Sequence, residues 1–324
     1  MSQSAGFQPG KLDRDATVYV AGHRGLVGGA IWRKFASEGF TNLVGRSHAE
    51  LDLTRRDSVF DYIAEVKPKY LVLAAAKVGG ILANNSYPVD FISQNLQVQV
   101  NVLDAALEAG VERLLFLGSS CIYPGQSAQP IKEEYLLTGY LEPTNDAYAI
   151  AKIAGILQIQ AVRRQYGLPW ISAMPTNLYG PGDNFSPQGS HVLPALIRRY
   201  DEAMRNGAES VTNWGTGSPR REFLHVDDMA AACLHLLENY DGASQVNVGT
   251  GTDVTIRDVA ETVAGVVGFE GETLWDTSKP DGTHQKRLDV SMLADAGWKS
   301  SIALDEGIRS TVEWYRENAT ALRE

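Results

Sequence analysis

Residues 17–31 read TVYVAGHRGLVGGAI, and this stretch decides the fold. Its first part is a short apolar run of the kind that forms a buried strand, and its second part has the spacing of an amphipathic helix. Gly22, Gly25 and Gly28 stand between and into the two in a G-x-x-G-x-x-G pattern. Glycine lets a backbone turn tightly and come close to a pyrophosphate, while the first N–H groups of a helix lack intrahelical partners and carry partial positive charge. Tight turns also need glycine, but a strand before and a helix after point to a dinucleotide site.

Working outward, short apolar runs keep alternating with longer amphipathic ones. LVGGAIWRKFASEG, NLVG, SVFDYIAEVK and YLVLAAA complete a βαβαβ unit after the first strand. RLLFLGSS and PWISAMP read as further strands, with helices over 89–110 and 147–167 between them. Buried strands joined by helical crossovers predict an α/β fold with a doubly wound parallel sheet of the Rossmann kind, whose ligands lie at the carboxyl ends of the strands. After PTNLYGPGDNF the alternation breaks into shorter elements, so a second, smaller α/β domain is expected there. FLHVDDMAAACLHLLENY and QVNVGTG look like a helix and strand returning to the sheet. The expected division is 1–16 as a loose tail, 17–177 plus 225–250 for the dinucleotide, and 178–224 plus 251–324 for a substrate.

The totals narrow the function. With 324 residues the chain can bury a large core without staples, and its formal charge of −10 disfavours nonspecific binding to nucleic acid or anionic membrane. Two cysteines, Cys121 and Cys233, are too few for a disulfide framework, and with no signal peptide and no long apolar run the expected location is the cytoplasm. Small-molecule chemistry is the better expectation, and no metal site is assigned.

The second strand, NLVGRSH, ends in Arg46 and His48 where a cofactor with a free ribose hydroxyl would meet an acid. Arg24, inside the glycine loop, adds a second guanidinium, so NADP is expected over NAD. Arg46 as a mere solvated charge is the alternative. Further on, DAYAIAKIAG sets Tyr148 and Lys152 four apart on one helix face. An adjacent ammonium favours phenolate, making the tyrosine a usable proton donor and acceptor for a carbonyl and its alcohol. Ser119, at the end of the fourth strand, can hydrogen-bond the same oxygen. Such a tyrosine–lysine spacing is common by chance, and the glycine loop and strand-end serine make it specific.

Ser119 also opens GSSCIYP, where Cys121 stands two residues beyond it. Taken alone, a buried cysteine is more often a small apolar filler than a catalyst, and His191 in GSHVLP could simply pack at a helix start. In the second domain Arg198, Arg199, Arg220 and Arg221 offer forks for a diphosphate and Trp214 a flat face for a purine. At most two of the four arginines should touch ligand, since surface charges are usually solvated and idle. Cys233 and His225 lie in apolar spacing and read as structural.

These motifs together resemble the extended short-chain dehydrogenases/reductases that act on nucleotide sugars, from about Thr17 to the end of the chain. AGHRGLVGGAI, AAAKVGGILANN, LGSSCIYP, EPTNDAYAIAKIAGI, MPTNLYGPGDNF, REFLHVDDMAAA and KPDGT are most similar to the branch that epimerises carbons 3 and 5 of a GDP-linked 4-keto-6-deoxymannose and then reduces carbon 4 with NADPH. The resemblance implies Ser119, Tyr148 and Lys152 as the reducing set, and Cys121 with His191 as the acid and base of inversion. It implies cofactor contacts from Gly22, Arg24, Gly25, Leu26, Val27, Gly28, Arg46, Leu117, Gly118, Lys152, Pro175, Asn177, Leu178 and His191. It implies substrate contacts from Arg199, Trp214, Arg221 and Asp281, and a homodimer formed through the two long helices. His48 departs from the pattern, where another arginine for the 2′-phosphate is expected. A 4-epimerase or 4,6-dehydratase of the same scaffold is the first alternative; a dehydratase should carry an acid pair where Ser120 and Cys121 stand. A non-catalytic NADP-binding regulator is the second, and it would not need the tyrosine and lysine.

Overall fold

In the computed structural model, which describes residues 7–187 and 189–318, the first strand runs over β1 (Val18–Ala21) and is buried at every position. β2 (Leu43–Val44), β3 (Tyr70–Leu73), β4 (Arg113–Leu117) and β5 (Ile171–Pro175) follow, and the strand Val246–Val248 returns beside β5. All six pair in parallel, in the order Val246–Val248, β5, β4, β3, β1, β2. Continuous apolar runs are what such strands require, because helices cover both faces. Tyr19, Leu71, Leu114 and Phe116 face one core layer, while Val18, Val20, Val72 and Leu115 face the other.

The helices are α1 (Leu26–Ser37), α2 (Arg56–Val66), the short α3 (Ile81–Ser86), α4 (Pro88–Glu108) and α5 (Asp146–Tyr166). β1 lies between β3 and β2, so the strand order reverses at its carboxyl end; the crevice there is where an open α/β sheet binds ligands. α6 (Val192–Arg205) begins the C-terminal part, and α7 (Val226–Asn239) comes back to cover α1 and leads into Val246–Val248.

Outside the main sheet, Ser210–Trp214 pairs with Glu272–Asp276, and Arg220–Arg221 lies between Val254–Thr255 and Gln285–Lys286. A third core of Tyr200, Phe223, Val259, Ile308 and Tyr315 holds these pieces to α6. The short β-pairs explain why periodicity fades after residue 185: two-residue strands are too brief to show alternation.

One expectation is corrected. Residues 10–16 are not a loose tail: Gly10 N donates to the Glu238 carbonyl at 2.9 Å, Arg14 pairs with the Glu238 carboxylate at 2.6 Å, and Leu12 packs on the core. Polar composition hid this because the anchor, Glu238, is remote in sequence. Residues 1–6 of the proposed tail lie outside the described residues.

Candidate active site

The glycine loop is shaped by contacts that admit no side chain. Gly22 has φ +89°, and a Cβ there would stand 2.8 Å from the Ala75 amide nitrogen at the end of the neighbouring strand. A Cβ on Gly28 would fall 2.1 Å from the Gly22 carbonyl oxygen, so turn and helix interlock. Gly25 caps α1 without any side-chain bond to it, and the first helical turn carries no acid. The leading N–H groups are therefore not taken by a side-chain cap, and the cradle fits a pyrophosphate.

Arg24 and Arg46 are exposed. Both help to hold the Glu50 carboxyl below its usual range, after the larger effect of the Ser47 hydroxyl and amide, which places the two guanidinium groups on one rim. His48 is exposed; the Thr54 hydroxyl and amide hold the nearby Asp52 carboxyl below its usual range, with His48 adding a smaller effect. Sequence reasoning missed His23, whose ring lies 5.3 Å from that of Trp32 and so close to Gly45 that a Cβ there would sit 2.5 Å from Nδ1. A glycine at the end of the second strand was its only signal.

At the other side of the crevice, Ser119 leaves β4 and its Oγ accepts from the Cys121 amide at 3.2 Å, capping a single turn over Ser120–Ile122. This turn carries the thiol toward Tyr148. Burial raises the Tyr148 phenol, the Cys121 charge adds to the rise, and a hydrogen bond with Ser119 opposes it, although part of the ring stays open to the cleft. Lys152 Nζ lies 5.8 Å from the Tyr148 ring centroid and donates to the Leu117 carbonyl at 2.8 Å. Burial lowers its ammonium to about 7. The expected depression of the phenol by a neighbouring cation is not found: burial is the largest effect on both groups and favours their neutral forms.

Gly118 keeps β4 against Met174, where a Cβ would be 2.3 Å from the methyl carbon. Pro175, Asn177 and Leu178 follow at the end of β5, and Asn177 Nδ2 donates to the Glu222 carbonyl at 2.8 Å. Leu26 and Val27 open α1 with Gly28. Cys233 is wholly buried in α7, its thiol pushed up by burial, and His225 caps the same helix by accepting from the Asp227 amide at 3.3 Å.

His191 precedes α6 and makes no capping bond. His191 keeps exposed surface, yet the protein around its ring desolvates it enough to lower its pKa, favouring neutral imidazole near pH 7. A Cβ on Gly80 would be 3.9 Å from the Ser190 carbonyl oxygen, Gly79 abuts Phe91, and Phe91 meets Tyr148 edge-on at 6.3 Å. The segment before His191 thus approaches the Gly79–Gly80 turn, which packs on the Phe91 ring beside Tyr148, while among the described residues no hydrogen bond joins His191 to Cys121.

The substrate-side residues separate into employed and available. Arg198 pairs with Glu202 and Arg220 with Asp253. Arg199 donates to Asn213 Oδ1 at 2.5 Å, and Arg221 donates to the carbonyls of Arg220 and Thr283, so among the described residues neither has a carboxylate partner. Trp214 is 73% exposed with Lys279 Nζ 5.8 Å from its ring centroid. Asp281 accepts from the amide and hydroxyl of Thr216 at 2.9 and 2.7 Å, which fixes the turn beside Trp214.

Two residues that the sequence reading did not single out complete the site. Lys286 Nζ donates toward Cys121 Sγ at 3.7 Å, bringing a cation to the thiol from 165 residues away. Its strand pairs residue for residue with Arg220–Arg221, which links the thiol end to the arginine end. Glu222, fully buried, accepts from Gly251 N at 2.7 Å and Leu288 N at 2.8 Å, and burial raises its carboxyl. Ser119, Cys121, Tyr148 and Lys286 thus form one cluster, with Arg221 reached along the Lys286 strand.

Residues 18–249 match the model of the NAD dependent epimerase/dehydratase family, and the chain belongs to that family. It is 59% identical to GDP-L-fucose synthase 1 of Arabidopsis thaliana over 98% of this chain and 99% of that protein. It is 51% identical to the GDP-L-fucose synthase of Escherichia coli strain K12, covering 94% and 98% of the two chains. Among solved structures, a GDP-L-fucose synthetase from Naegleria fowleri bound to NADP superimposes with a TM-score of 0.90 at 29% identity, covering 98% of this chain and 97% of that one.

Proposed function

We infer that the protein converts GDP-4-keto-6-deoxymannose to GDP-L-fucose, inverting carbons 3 and 5 and reducing carbon 4 with NADPH. The observation that carries this reading is the meeting of Cys121 with Ser119 and Tyr148 at the mouth of a dinucleotide cradle. A simple reductase needs the phenol and hydroxyl but not a thiol beside them.

A ketone at carbon 4 acidifies the protons on both neighbouring carbons, because either carbanion delocalises onto the ketone oxygen. Ser119 and Tyr148 hydrogen-bond that oxygen and stabilise enolate and alkoxide alike. Inversion requires a proton to leave one face of the ring and another to arrive on the opposite face. Cys121 and His191, on different segments of the chain, act as this acid–base pair, with Lys286 supplying positive charge at the sulfur.

Residues 22–28, with Arg24 and Arg46 on the rim, hold NADPH, which supplies hydride to carbon 4 when bound. Tyr148 then gives the oxygen its proton, and Lys152, behind it, steadies the phenol and the Leu117 turn. Arg199 and Arg221 bind the diphosphate, Trp214 covers the base, and Asp281 positions its rim.

Exposed Val89 and Val100 on α4 and Ile150 and Leu157 on α5, two helices packed side by side, support a homodimer through this face. No helix among the described residues is long and apolar enough to cross a membrane, and two cysteines without a disulfide fit the cytoplasm. The test is incubation with GDP-4-keto-6-deoxymannose and NADPH, following cofactor absorbance and product stereochemistry. Cofactor consumption with GDP-L-fucose as product is expected; oxidation without inversion would leave only a reductase, and no oxidation would remove the reading.

A further inference from the structure

The strand Val246–Val248 carries a polar residue where its neighbours are apolar, and that residue, Asn247, has no exposed surface. A buried amide is costly unless its donors and acceptor are all engaged. Here they are. Its Oδ1 accepts from the Tyr123 hydroxyl at 2.6 Å, and its Nδ2 donates to the Ile131 carbonyl at 2.9 Å and the Asp289 carbonyl at 3.1 Å.

These partners are not arbitrary. Tyr123 is two residues beyond Cys121, and Asp289 is three beyond Lys286, so one side chain on the rigid central sheet ties the segment of the thiol to the segment of the ammonium. The lysine segment is fastened further by Ile131 N to Arg287 O and Asp289 N to Ile131 O, both 2.8 Å, and by Leu288 N to Glu222. Asn is the residue the position needs: it accepts on one side and donates twice on the other, whereas an aspartate would face two carbonyl oxygens with no proton to give.

We propose that Asn247 is a positioning residue that sets the spacing between Cys121 and Lys286. Its importance for turnover rests on the proton-transfer reading of Cys121 given above, but the spacing itself does not. A displaced Lys286 leaves the thiol without its cation, and thiol reactivity follows nearby positive charge.

The test uses the full chain with Asn247→Leu, Tyr123→Phe and the double variant. Iodoacetamide labelling of Cys121 is read by mass spectrometry, with fully buried Cys233 as the internal control. Deuterium wash-in from solvent at carbons 3 and 5 is read with the keto sugar and oxidised NADP, and NADPH affinity is measured alongside. Both single variants should slow labelling and wash-in about tenfold, the double variant should be no worse than Asn247→Leu, and NADPH affinity should be unchanged. Folded variants whose Cys121 labels at the wild-type rate overturn the proposal; should Asn247→Leu fail to fold, Tyr123→Phe decides it, since its ring remains. Labelling that slows while wash-in does not upholds the positioning role and removes Cys121 from proton transfer.

Discussion

The two halves of the site are built in different ways. The proposed cofactor half centres on one stretch, residues 18–31, with Arg46 at its rim, and is shaped by exclusion: Gly22 and Gly28 stand where any Cβ would strike backbone. The proposed sugar half draws on segments around residues 121, 148, 221 and 286, together with His191, and its thiol, lysine and arginine segments are held by polar bonds such as those of Glu222 and Asn247. A sterically shaped pocket depends on what is absent from a few positions, whereas a bonded one depends on every partner in a network. The two should fail differently.

Tyr148 lies at the seam, so Tyr148→Phe should do the greatest damage. It removes the proton for the carbon 4 oxygen and half the grip on that oxygen, and NADPH oxidation should fall roughly 10²–10⁴-fold. Unchanged turnover would show that the halves do not meet there. Cys121→Ser breaks the sugar half alone: deuterium wash-in should fall by about 10²-fold or more while some reduction of the uninverted ketone continues. A variant that makes normal GDP-L-fucose would take the thiol out of the chemistry.

Gly28→Ala attacks the cofactor half alone. Its methyl group would overlap the Gly22 carbonyl, and relieving that costs on the order of 1–3 kcal/mol, which should weaken NADPH binding about 10–100-fold by titration. Wash-in that falls as steeply as NADPH affinity would deny the separation of the halves.

The smallest effect concerns stability. Lys152 keeps its proton to near 10.5 in an unfolded chain but only to about 7 in the folded one. Between those values the unfolded chain binds more protons, so this residue makes stability rise with pH, and its penalty is fully present below pH 7. Lys152→Met should therefore melt a few degrees above the parent at pH 7, with the gap closing toward pH 10. A constant gap across that range would show that burial does not govern this lysine.

The glycine stretch of the cofactor half and the phenol–ammonium pair of the sugar half were legible in the sequence. The spacing of Gly22, Gly25 and Gly28, and of Tyr148 and Lys152, lies within single elements whose geometry repeats locally. The anchoring of residues 10–16 was not legible, because it depends on Glu238 on a helix far along the chain. Lys286 was hidden in a loop-like stretch, in a two-residue strand too short to leave a periodic trace. His23 gave no sign beyond the glycine it presses against.

The sequence by itself determined the parallel sheet, the glycine cradle and the phenol–ammonium face, because each follows from hydrophobic period and from spacings of a few residues. Only the tertiary structure decided which cation stands at the thiol, which two of four arginines lack a carboxylate partner among the described residues, and that a buried amide on the edge strand joins the lysine segment to the turn that carries Cys121. Those matters rest on contacts between residues tens to hundreds apart, and a chain's local pattern carries no record of which distant groups will satisfy one another once water is excluded.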